Sequence, residues 1–351
     1  MWTAVSVEDL IPVGHPIRRI RVIVESVLDG LGPEFDAMYA ATGRPSVPPE
    51  QLLKATVLMA LYSIRSERAM CERINYDLLF KWFLDLPVDA RGFDPSTFSK
   101  NRDRLLGAEI ADRFFVAVVD QAKLRRYVSS DHFSVDGTLL EAWASHKSFK
   151  ANDGPPSDPP TGRNSEVDFH GQKRSNATHS STTDPEARLA RKSMATAAKL
   201  SYAGHLLIEH RNALIVDADL TEASGFAERD TAVEMLERLP KRRRRRSVAA
   251  DKAYDTKDFV AKARAAGFTP HVAQNTNGRR SAIDGRTTRH AGHTVSQRIR
   301  KRVEEPFGWM KTVGGGRKLR YIGRQRNRAW FLITSAVYNI IRIADLDTTT
   351  A

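Results

Sequence analysis

The sequence predicts an α/β protein in which a mixed sheet flanked by helices follows an all-helical N-terminal domain. Three observations carry this expectation. Apolar residues recur at helical spacing through residues 1–125, and beyond residue 126 short apolar runs of strand length alternate with amphipathic segments. Three acids, Asp136, Asp251 and Glu304, then fall at the ends of two such runs and within a basic helical stretch.

The expected domains are residues 1–125, residues 126–345 and a short tail, 346–351. In the first, Pro48 and Pro49 suit a helix start, and Leu52, Leu53, Val57, Leu61 and Ile64 continue at helical spacing. Ser66 is placed to cap a second short helix carrying Ala69, Met70 and Ile74. Asp94-Pro95-Ser96-Thr97 opens a third, which runs through Lys100, Arg102 and Arg104. Short helices followed by a basic one fit a helix-turn-helix-like DNA reader, with Lys100, Arg102 and Arg104 as its phosphate contacts. A plain bundle with a charged outer face fits the same residues, because residues 1–125 hold 16 basic and 17 acidic side chains.

In the second domain, Asp131–Val135 reads as a strand ending at Asp136. Residues 150–190 are rich in Pro, Gly, Ser, Asn and Thr, which predicts a long mobile loop in which His170 and His179 are solvated. Tyr202–Glu209 and Ala213–Asp219 read as strands joined by a turn at Arg211-Asn212. Ala227–Leu239 is an amphipathic helix, and Ser247–Ala250 is a strand running into Asp251. Lys257–Ala266 is a helix closed by Gly267, and Phe268–Ala273 is a further strand. The helical segment Val295–Val313, stopped by Gly314-Gly315-Gly316, carries Glu304, and a last apolar helix, 327–343, packs against the sheet. Three strands, then helix, strand, helix, strand and helix, is the order of the ribonuclease H-like fold.

Net charge is +13, with a sequence pI near 9.9. The excess is concentrated: residues 241–330 hold 25 basic and 6 acidic side chains. Such a region favours a polyanion, since each cation set against a phosphate releases condensed counterions. Arg242 to Arg246 after Lys241 suits either a DNA-tracking segment or an exposed loop. Cys71, the single cysteine, excludes an internal disulfide and a cysteine-built zinc site. The N-terminus lacks a secretory pattern, and the apolar stretch Ala329–Ile341 is interrupted by Thr334, Ser335 and Asn339 and is short for a bilayer. A cytoplasmic, nucleoid-associated protein without a membrane partner is therefore expected.

Three carboxylates from separate elements in a cation-rich chain point to phosphodiester chemistry with two Mg²⁺ ions, which accept oxygen ligands and need neither His nor Cys. Asp136 and Asp251 are expected to hold the ions from the strand ends and Glu304 to close the site from its helix. Arg300 and Lys311 lie four residues before and seven after Glu304, on the same helical face, and suit DNA phosphates. Lys252, Arg298 and Lys301 join them as candidate DNA contacts, and Trp309 either stacks on an unpaired base or packs inward. Pro306 predicts a kink or break near Glu304, and Glu305 is a rival third acid.

These residues resemble the DDE transposases of bacterial insertion sequences, in the group named after insertion sequence five. The group's third acid lies in a Tyr-x2-Arg-x3-Glu-x6-Lys pattern, matched here by Arg300, Glu304 and Lys311, with Gln297 in place of the tyrosine. Val-Asp-Gly-Thr at Asp136, Ala-Asp-Lys-Ala-Tyr-Asp at Asp251 and Pro-Ser-Thr-Phe-Ser-Lys from Pro95 extend the resemblance over nearly the whole chain. It implies binding of terminal inverted repeats in double-stranded DNA, nicking at the element ends and joining of 3′-hydroxyls to target DNA. It also implies Mg²⁺ with Mn²⁺ able to substitute, a homodimer acting on paired ends, and end recognition by the N-terminal domain. A nuclease of the same fold that only hydrolyses, and a non-catalytic DNA-binding protein, are the competing readings.

Overall fold

The computed structural model describes residues 6–38, 47–107, 109–152, 175–192 and 195–350. The N-terminal part is helical: α1 (Val7–Leu10), α2 (Pro16–Asp29), α3 (Gly32–Met38), α4 (Pro49–Leu61), α5 (Glu67–Ile74), α6 (Leu78–Phe83), α7 (Pro95–Gly107) and α8 (Ile110–Leu124). The caps are those the side chains dictate. Ser66 Oγ accepts the Ala69 N–H at the start of α5, and Asp94 accepts the N–H groups of Ser96 and Thr97 at the start of α7. In α2, Ile17, Ile20, Ile23, Val24, Val27 and Leu28 form one buried stripe.

Eight strands occur among the described residues: β1 (His132–Glu141), β2 (Phe149–Ala151), β3 (His179–Ser181), β4 (Arg188–Ala190), β5 (Lys199–Glu209), β6 (Ile215–Glu222), β7 (Arg246–Ala250) and β8 (Phe268–Val272). The main sheet runs β6-β5-β1-β7-β8, and β4 extends the β6 edge of β5. β1 is antiparallel to β5 and parallel to β7, which is parallel to β8. Order and directions are ribonuclease H-like, as expected from the sequence. β5 is buried from Leu200 to Glu209 because helices cover both its faces.

On one face, α9 (Ala227–Arg238) and α10 (Lys257–Ala265) pack Ala232, Leu236, Phe259 and Ala263 against Phe133, Val135 and Val248. After β8 come α11 (Gly285–Thr288), α12 (Ala291–Ile299), a 3-10 turn (Arg300–Val303), α13 (Glu304–Thr312) and α14 (Arg324–Thr350). The other face carries Leu140, Tyr202, Leu206 and Ile208 into one apolar cluster with α13, α14 and the N-terminal helices. α14 is long and apolar enough to cross a membrane by length and composition, but most of that stretch is buried inside the fold. It runs to Thr350, well beyond the 343 boundary and through most of the tail expected from the sequence.

Two polar fixtures pin α14. Arg328 forks onto both oxygens of Asp112 on α8 and onto Asp219 on β6. Fully buried Asn339 accepts the Ile215 N–H at 2.9 Å and donates to its carbonyl at 2.7 Å, satisfying the backbone where β6 begins. Phe331 crosses β5 where Gly204 has no side chain, and a Cβ there would meet its ring at 2.9 Å.

The expected loop at 150–190 needs correction at its ends. β2 pairs with β3, and β4 pairs with β5. His179 is buried and stacks on Phe149 at 5.5 Å, rather than standing in solvent. Ser148 and Ser181 share a hydrogen bond at 2.7 Å, so polar residues satisfy one another without a hydrophobic signature. His170 and the middle of that stretch lie outside the described residues.

Asn339→Ala strands two buried backbone groups, so urea unfolding is expected to show a loss of roughly 2–4 kcal/mol. A loss under about 1 kcal/mol would show that Asn339 does not pin α14 to β6.

Candidate active site

The site begins with a register. β1 and β7 pair in parallel with Phe133 opposite Val248 and Ser134 opposite Ala249. The paired register ends there, and extrapolating it by two residues sets Asp251, the residue after β7, beside Asp136. Asp136 lies midway along β1, rather than at the strand end expected from the sequence, because β1 continues to Glu141 along β5. Neighbouring strands lie about 4.8 Å apart, and residues level in a parallel pair share a face. β1 has β5 on one side and β7, reached later in the chain, on the other. The acids thus occupy the crevice where the strand order reverses, the usual ligand position in an open α/β sheet.

Local hydrogen bonds orient both carboxylates. Asp136 Oδ1 accepts the Gly137 N–H at 2.9 Å, and Asp251 Oδ1 caps the following turn through the Ala253 N–H at 2.7 Å. Burial pushes the Asp136 carboxyl up to about 7. The Gly137 N–H opposes this, Asp251 and Glu228 add repulsion, and Arg300 attracts.

Beside the strand ends, the long helical segment expected from the sequence is broken. α12 gives way to the 3-10 turn Arg300–Val303 before α13 begins at Glu304. Pro306 is the reason: it lacks an N–H and its ring clashes with the carbonyl four residues back, but it is tolerated in a first turn. Gln297, which replaces the family tyrosine, donates to the carbonyls of Ala250 and His271. It therefore ties α12 to the ends of β7 and β8, next to Asp251. Lys311 Nζ donates to Thr138 Oγ1 at 2.5 Å, fastening the far end of α13 two residues beyond Asp136. Burial lowers the Lys311 pKa, and Lys192 and Arg317 add to that.

Arg300 and Lys311 thus both lie within the field of Asp136, from the two ends of the segment that carries Glu304. Glu304 itself is exposed and makes no hydrogen bond or ion pair through its carboxylate among the described residues. Glu305 exerts its field on Tyr338 of α14. Among the described residues no three acidic, imidazole or thiol side chains already converge as a metal-binding group. The structure brings Asp136 and Asp251 together and sets Glu304 on the adjacent helix. The donor chemistry fits a hard cation: all the acids offer oxygen, and Asp136 sits desolvated beside two like charges.

Lys252, Arg298 and Lys301 are exposed near these acids in the chain. Trp309 is half-buried, with its ring 6.0 Å from that of Tyr338. Lys100 is exposed, but Arg102 is committed to Glu67 at 2.6 Å and lies over the Tyr321 ring. The Arg104 side chain lies outside the described residues. α7 packs against α4, α5, α8 and α14, apart from the strand ends. Arg242 to Arg245 are exposed at the end of β7 opposite Asp251, while Arg246 is buried over Phe268.

Two groups that the sequence did not single out, Glu228 and Tyr254, lie within the field of these acids. Glu228 begins a helix like any first-turn acid, and Tyr254 follows Asp251 in a motif read only for its aspartate. The sole prior signal was Gly137, whose missing side chain makes room for Glu228.

A family model described as Transposase DDE domain matches residues 130–340, more than half of the chain. The chain belongs to the DDE transposase family. A second model, described as Transposase domain (DUF772), matches residues 5–104 of this transposase. Among solved structures it is similar to the piggyBac transposase of a synaptic complex with hairpin DNA, at 10% identity and a TM-score of 0.42. That match covers 96% of this chain and 77% of the other. No curated protein matches the transposase.

The raised Asp136 value has a defined sign. Folded, the group keeps a proton that the unfolded chain releases near its ordinary value of 3.8, so this stabilisation is lost as pH rises to about 7. Without divalent ions, the melting temperature of wild type is expected to fall relative to Asp136→Asn between about pH 4 and 7. Parallel pH profiles would show that Asp136 is not desolvated.

Proposed function

We propose that this transposase binds the terminal inverted repeats of its insertion element, cleaves DNA at the element ends and joins the 3′-hydroxyls to target DNA. Asp136 from within β1 and Asp251 from just after β7 would hold two Mg²⁺ ions, Glu304 would close the site from α13, and Mn²⁺ would substitute. The observation that carries this reading is that β1 and β7 pair in parallel up to two residues before Asp136 and Asp251, whose charges act on each other with a basic helical segment beside them. Bound there, divalent ions supply charge stabilisation to the attacking and leaving oxygens of a phosphodiester displacement.

The chain's own residues do the rest. Arg300 and Lys311 hold DNA phosphates next to the acids, and exposed Lys252, Arg298 and Lys301 extend that contact along the backbone. Thr138 fixes Lys311, so α13 is oriented before DNA arrives. Lys100, Arg102 and Arg104 on α7 belong to end recognition by a domain spanning residues 1–125, with the catalytic domain at 126–345. Two copies act on paired ends of double-stranded DNA in the bacterial cytoplasm, at the nucleoid. The Arg300, Glu304 and Lys311 spacing supports the group named after insertion sequence five.

Asp136→Asn is expected to retain end binding and lose at least about a hundredfold in Mg²⁺-dependent cleavage, the cost of one transition-state charge contact. Unchanged cleavage would remove Asp136 from the mechanism. With a pre-cut end and a target plasmid, joined products are expected, whereas hydrolysis alone would favour a nuclease. Arg300→Ala and Lys311→Ala are each expected to lower the salt slope of DNA binding by about one. An unaltered slope in both would show that neither meets a phosphate.

A further inference from the structure

We infer that Glu228 is a fourth carboxylate of the divalent-cation site, reaching the two aspartates across Gly137. The inference rests on the reading of Asp136 and Asp251 as that site. It starts from a close approach. A Cβ at Gly137 would lie 2.6 Å from Glu228 Cγ and 2.9 Å from its Oε1, so the residue after Asp136 must lack a side chain for Glu228 to lie where it does. Glu228 is the second residue of α9, on the sheet face opposite α13, and its carboxylate makes no hydrogen bond or ion pair among the described residues. A half-buried, unpaired carboxylate is costly unless a cation joins it. Burial raises its pKa, and Asp251 is the next cause.

The second observation is Tyr254. Its ring is fully buried and edge-on to Phe259 at 5.1 Å, and its hydroxyl has no hydrogen-bond partner. The charged groups acting on that hydroxyl are, in order, Glu228, Asp136, Asp251 and Arg229. Buried hydroxyls are nearly always satisfied. A donor that lies in the field of three carboxylates and bonds to none of them suits a site where an ion's bound water lies between.

The test is Mn²⁺ titration of the full chain by calorimetry, with melting temperatures measured in chelator and in Mn²⁺. Glu228→Gln is expected to weaken Mn²⁺ binding about 10–100-fold and to shrink the Mn²⁺-induced rise in melting temperature. In chelator it should melt no lower than wild type, because a like charge has been removed. Gly137→Ala, which displaces the same side chain without changing its charge, should also weaken binding. Wild-type Mn²⁺ affinity in both variants, or equal melting losses with and without metal, would overturn the role of Glu228. Asp136→Asn separates the two levels: if it too binds like wild type, or wild type binds no Mn²⁺, the underlying metal reading fails.

Discussion

Two adjacent parallel strands bring two carboxylates side by side just beyond the point where their pairing ends, and the remainder of the structure answers to that constraint. Asp136 and Asp251 are held near each other by the β1–β7 pairing that ends two residues before each of them, and each carboxylate is oriented by a backbone N–H just after it. Like charges so placed are tolerated only if protonated or joined by a cation. The long buried strand β5 braces β1 from the other side, and α14 braces β5 through Phe331 over Gly204. Apolar packing is therefore what keeps the charged pair together.

Function follows from how the surrounding charge is distributed. The N-terminal helices are nearly neutral, and Arg102 spends its charge on Glu67. Basic excess gathers instead around the 3-10 turn and α13, where Arg300 and Lys311 both act on Asp136. Anchors at either end, Gln297 on the carbonyls of Ala250 and His271 and Lys311 on Thr138, hold that segment against the sheet. These anchors leave Glu304, at the start of α13, exposed beside the two aspartates' strands.

Much of this was legible in the sequence, for identifiable reasons. The strand before Asp251 was readable because a short apolar run ends abruptly in an acid, and the helices after Ser66 and Asp94 because caps are local chemistry. By contrast, β1 does not stop at Asp136 but continues to Glu141 along β5. Pro306 announced the interruption that the structure puts at Arg300–Val303. What escaped was non-local. The pairing of β2 with β3 is held by serines and a histidine on phenylalanine, which look like loop residues in one dimension. Glu228 escaped because its relation to Gly137 spans two elements that only the folded sheet brings together. Arg246 looked like part of a basic run, yet its alternation into β7 buries it over Phe268.

The central claim is that the side-by-side pair of aspartates is a cation site. Anomalous diffraction from crystals of the full chain soaked in Mn²⁺ tests it most directly. Anomalous density within about 2.3 Å of carboxylate oxygens of both Asp136 and Asp251 is the expected result, oxygen ligation at the usual range for such ions. Density bound elsewhere on the protein, with neither aspartate touching an ion, would contradict the account.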